Sequence, residues 1–207
     1  LDDDDIEIRL QVAEALVKRN DPIIKKYSIP DKFDLILVPS EHKMIYVTQT
    51  GIPQIIFTGD IEIEQPLTLQ TWGNTLLVKE STDGSGTLEV RYRNEETGST
   101  VIQHITPKLP TFTMFLAHQS IPEAPAPGLD LTYSRTIGAL HALWRQQYLD
   151  VDFKVEQDRL LATIERLTSE STYIPRPDFK KEIANETLPD VIEIVPALTA
   201  DGDVSTP

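Results

Sequence analysis

The sequence predicts an α+β chain: an N-terminal helix, a central antiparallel β-meander closing into a small barrel or sandwich, a C-terminal long helix or helix pair, and an extended Pro-rich tail. Three observations lead there. Apolar residues recur at three-to-four spacing near the start, as an amphipathic helix requires. From Phe33 the period changes to two and short runs are punctuated by turn residues. After Ser169 apolar residues occur only in short pieces between prolines.

The first helix is expected from Ile6 to about Tyr27. Ile6, Leu10, Ala13, Leu16 and Val17 share one stripe, and the acids Asp2 to Asp5 suit a positive helix N-terminus. Asn20-Asp21-Pro22 breaks the pattern, leaving "PIIKKY" as a last turn or a second short helix. "FDLILV", "KMIYVTQ", "PQIIFTG", "DIEIEQPLTLQTW", "TLLVKES", "TLEVRYR" and "STVIQHI" then read as strands. Asp83-Gly84-Ser85-Gly86 is a turn, and "NEETG" a hairpin loop with Gly98 at a left-handed position. No connection leaves room for a crossover helix, so antiparallel pairing is expected throughout. "TFTMFLAH" is too short for periodicity to choose between strand and helix. Residues 1–30 form the N-terminal helical segment, 31–119 the β domain, 120–131 a proline-stiffened connector, 132–169 a C-terminal helical segment packed on the β domain, and 170–207 a tail that is extended or disordered.

Composition excludes several chemistries. The chain has 33 Asp and Glu against 19 Lys and Arg, a formal charge of −14 that repels a phosphate backbone or an anionic membrane surface. A protein partner or larger complex, one that could carry a basic surface, fits that charge better; self-association is also open. With no cysteine, the chain has no disulfide framework and no thiolate chemistry. No apolar run approaches the roughly 20 residues of a membrane span. A soluble, cytoplasmic protein is expected, and Leu1 in place of Met suggests a removed leader or a longer gene product.

The four histidines, His42, His104, His118 and His141, show no metal-ligand spacing, and no nucleophile elbow or phosphate loop is present. No metal, cofactor or catalytic residue is therefore assigned from the sequence. Asp60, Glu62 and Glu64 alternate on one strand face, which reads as a solvated face before it reads as a cation site. "LDVDF" places Asp150 and Asp152 at a joint, with Asp152 expected to cap a second helical piece.

The densest stretch is "TIGALHALWRQQYLDVDF". Ile137, Leu140, Trp144, Tyr148 and Val151 follow a helical rhythm with His141 beside them, and Gly138 leaves a small face for close packing. Trp, Tyr and Arg are interface-anchoring types. Trp144, with its ring expected to be buried, Arg145 and Tyr148, together with Tyr173 and Phe179 of the tail, are the candidate partner-binding residues. The expected function is a non-catalytic structural or assembly component acting through protein–protein contacts, with the C-terminal arm laid on a partner. The alternatives are a small-molecule-binding β-barrel, or a hydrolase-type enzyme pairing His104 or His141 with a carboxylate.

Overall fold

A computed structural model describes residues 3–95, 97–122 and 125–158. The chain is mixed α and β. In order, α1 is Ile6–Arg19, β1 Lys25–Ile29, β2 Phe33–Val38, β3 Met44–Thr48, β4 Gln54–Thr58, β5 Thr68–Thr71, β6 Leu76–Glu80, β7 Leu88–Arg93, β8 Thr100–Ile105, α2 Leu109–Ala117, α3 Tyr133–Arg145 and β9 Asp152–Val155. Among the described residues no helix is long and apolar enough to cross a membrane.

Helix α1 begins where the carboxylate of Asp5 accepts from the backbone N–H of Glu7 at 2.8 Å. It ends at Asn20, whose φ of 50° lets the N–H groups of Asn20 and Asp21 turn back onto Val17 and Leu16 carbonyls. The break expected at Asn20-Asp21-Pro22 therefore falls in place. The helical turn expected after it does not form, because "KKYSI" pairs with β2 as the edge strand β1. Pro30 and the positive φ of Asp31 (59°) make the tight turn into β2, closed by Lys32 N–H donating to Ile29 O.

Two sheets replace the single meander. One has the order β1-β2-β4-β3-β9, the other β5-β6-β7-β8. The second is wholly antiparallel, and Gly98 (φ 67°) turns the β7–β8 hairpin as expected. The first is mixed, which corrects the expectation of antiparallel pairing throughout. After β3, the chain doubles back and β4 inserts between β2 and β3, so β4 runs parallel to β2 while hairpinned to β3; β9 then joins β3 in parallel. The intervening strand serves as the crossover, so no helix is needed.

The central strands read as continuous apolar runs because both their faces are covered. Ile36, Val38, Met44, Tyr46 and Ile56 lie under Leu10 of α1. On the opposite face Phe33, Leu35, Ile45, Val47, Ile55 and Phe57 share one core with α2, α3 and the inner residues Leu69, Leu76, Val78, Leu88 and Val90 of the second sheet. "LPTFTMFLA" resolves as helix α2, apolar nearly all round and correspondingly sunk. Its last turn is sealed by the connector, where Leu129 and Leu131 N–H groups donate to Phe115 and Leu116 carbonyls. Gly128 makes this approach possible, since a Cβ there would sit 2.1 Å from the His118 carbonyl oxygen.

Thr132 caps α3, its hydroxyl oxygen accepting from Arg135 N–H. The helical segment expected over residues 132–169 is interrupted after Arg145 by β9, with residues 156–158 helical again. Asp152 consequently opens a strand instead of capping a helix. The small face expected at Gly138 lies against Trp72.

Candidate functional site

The residues selected by type, Trp144, Arg145 and Tyr148, lie around the end of α3 but do not form one site. The Trp144 indole is half-buried; its Nε1–H donates to Val151 O at 3.0 Å, and its ring stacks with His141 and Phe153 at 5.4 and 5.5 Å. This aromatic trio fastens α3 to β9. His141 is exposed, because the buried face of α3 is Thr136, Ala139, Leu140 and Leu143, which shares Leu140 with the anticipated stripe but is turned away from Ile137 and Trp144. The Tyr148 hydroxyl bonds Thr68 of β5, donating to its carbonyl at 3.3 Å and accepting from its N–H at 3.4 Å, a tie within the fold. Arg145 is exposed and lines a depression of about 640 Å³ with Trp144, Glu64 and Asp150. Tyr173 and Phe179 lie outside the described residues.

The histidine hypotheses can be read from geometry. His104 on β8 does meet a carboxylate and a hydroxyl: its Nδ1 is 3.9 Å from Asp83 and 3.5 Å from Ser81 Oγ. Both groups address the same ring nitrogen. A nucleophile–base–orienter relay needs the serine on one nitrogen and the acid on the other, so this cluster is not wired for acyl transfer. Asp83 is held down to about 2, first by the Ser85 hydroxyl, then by Ser85 N–H and Ser81; its ordinary value is 3.8. That is the bonding of a closed turn. Asp60, Glu62 and Glu64 are exposed around buried Ile61 and Ile63, a solvated face. Asp150 and Asp152 separate, Asp152 turning to Arg9. Among the described residues no three His or acid side chains gather as a metal site.

The feature that sequence reasoning missed is a groove along β1. In the antiparallel register with β2, Tyr27 sits beside Leu35 and Ile29 beside Phe33, so both side chains are on the inner face of the sheet. Opposite runs the one stripe of α2 that is not fully covered: Pro110, Thr111, Met114 and, just past the helix end, His118. The space between them, about 610 Å³, is walled by Tyr27, Ile29, Met114, Phe115 and Ile105 of β8, with Pro127 of the connector at one end. A second depression of about 480 Å³ flanks the other end of β1, between Ile23, Lys25, Leu37 and Pro110. Lys32 fixes the spacing: its ammonium donates to Ala117 O and to Asp130, both at 2.6 Å, clamping the β1–β2 turn to the end of α2.

The β1 edge has no second strand beside it among the described residues. Four of its five residues are exposed, and Tyr27 keeps 41% of its surface open. An edge of unpaired N–H and C=O groups beside an apolar wall is the arrangement that accepts an added strand. Two signals could have exposed it: a short run after the helix with no apolar period, and a helix too apolar to leave any stripe unburied by accident. Comparison with family models, curated proteins and solved structures finds no match to this chain.

Proposed function

We propose that the chain is a non-catalytic component that acts through protein–protein contacts, receiving a segment of a partner in the groove between β1 and α2. The observation that supports this most is the pairing of an unpartnered sheet edge with an open apolar helix stripe along the same five residues. A core-facing stripe left uncovered exposes apolar surface to water, which costs roughly 25 cal/mol for each Å². A partner that covers it removes that cost. The same-nitrogen geometry of His104 argues against the hydrolytic alternative.

The small-molecule alternative draws on the groove's volume, which falls in the range of ligand pockets. It does not use the strand edge, and that separates the two readings. Thr111, half-buried on the open stripe, is the place to test them. A photo-crosslinking phenylalanine derivative introduced at Thr111 should join the chain to one discrete protein in the native source, and Met114→Asp should erase the adduct. Adducts formed from Arg145 but not from Thr111 would sink the groove reading.

A further inference from the structure

We infer that the segment this groove receives is an acidic, extended peptide that pairs with β1 as a sixth strand of the five-stranded sheet; this rests on the docking role proposed above. Geometry supplies the first part. Strand side chains alternate between faces, so every second residue of an added strand would face the wall made by Thr111, Met114 and Phe115. Its backbone would take up the free edge of β1.

Charge supplies the second part. The chain carries 33 acids, yet among the described residues none lines the groove. Among the described residues, the ionisable ones in its wall are Lys26, Tyr27 and His118, with Lys25 next along the strand. Lys26 bonds the buried carboxylate of Asp34 at 2.8 Å and Lys32 bonds Asp130, so these two are largely neutralised. Lys25 has no ion pair among the described residues. In the flanking depression its neighbourhood includes Asp60, which is itself 3.8 Å from Lys108. Within β1 itself the charge left over is therefore that of Lys25, a positive charge on the strand of a strongly negative molecule, with Asp31 in the turn beyond it. Lysines on an edge strand discourage pairing with a strand of like charge, so they select an acidic one.

The test uses the whole chain and fluorescent probe peptides of about eight residues, long enough to span β1. One probe alternates Val with Glu, a second alternates Val with Lys, and a third carries Pro at the central Val of the first. By anisotropy, the Val/Glu probe should bind at least about tenfold tighter than either of the others. Lys25→Glu, an exposed change that leaves the core intact, should reverse the charge preference. Amide shifts should fall on Lys25 to Ile29 and on the α2 stripe. Equal affinity for the two charge patterns overturns the inference, as does indifference to Pro or a map centred elsewhere. Light scattering at the same concentrations decides about a second copy: a dimer that excludes the probe also overturns it. If the probes fail while the Thr111 adduct forms, the acidic strand falls and the docking reading stands. Failure of both removes the reading too.

Discussion

Arg9 Nη2 lies 3.1 Å from Asp152 Oδ2, joining the first helix to β9, the edge strand on the far side of the sheet from β1. Asp152 is in register with Met44, whose side chain faces α1, so the carboxylate turns toward the helix. The guanidinium is nearly enclosed (8% exposed) while the carboxylate is half open. Losing the acid would leave a buried cation without its partner. We expect Asp152→Ala to cost about 1–3 kcal/mol by urea unfolding, below the roughly 3–5 kcal/mol of fully buried pairs because water reaches Asp152. Arg9→Met, which removes the charge and keeps the packing, should cost less. The reverse order would contradict the assignment.

The two glycines of the α2–α3 region should respond in opposite directions. Gly138 is helical, and an added Cβ would meet Trp72 at 3.8 Å, an ordinary contact. Gly138→Ala should stabilise by about 0.5–1 kcal/mol through the unfolded chain and helix propensity. Gly128→Ala must push the connector off the end of α2 and should cost about 2–3 kcal/mol. Thermal unfolding of the two variants side by side checks both signs.

Asp83 should titrate at about 2 in a carbon-detected carboxyl experiment, well below its usual 3.8. Because the folded value is depressed, its contribution to stability is present above the ordinary carboxylate range and is lost as pH falls toward 2. Ser85→Ala removes the largest cause and should move the midpoint back up. An unchanged midpoint in that variant would show that the turn is not what holds the charge.

Tyr133 should behave oppositely at high pH. Burial first, and the Glu156 carboxylate second, push its hydroxyl above the usual 10. The phenol donates to Thr48 O and Gln54 O, which orient it against the β3–β4 hairpin. A raised value means that stability is intact below about pH 10 and falls as pH rises beyond the unfolded value. Tyr133→Phe should flatten that alkaline limb while costing about 1 kcal/mol at neutral pH.

Legibility in the sequence tracks burial. In β7, "LEVRYR" alternates because one face is wet, and that pattern is readable. So is the start of α1 beside the acids Asp2 to Asp5, whose signal is local. β1 is not, because an exposed strand has no apolar period to show. Parallel pairing of β2 with β4 is not either, since nothing in a strand's own residues says that its neighbour will double back. Sequence reasoning selects Trp144 and Tyr148 by residue type, but both spend their polar atoms on holding β9 and β5. The groove's walls come from β1, β8, α2 and the connector, four segments that only the fold brings together.

The most direct measurement is hydrogen exchange of the β1 amides, in the free chain and in complex with the partner identified through Thr111. Outward-facing amides of an unpartnered edge should exchange quickly in the free protein. We expect the complex to slow exchange within Lys25 to Ile29, leaving Arg145 and its surroundings unchanged. Protection around Arg145 and Glu64, with β1 exchanging as before, would contradict the account.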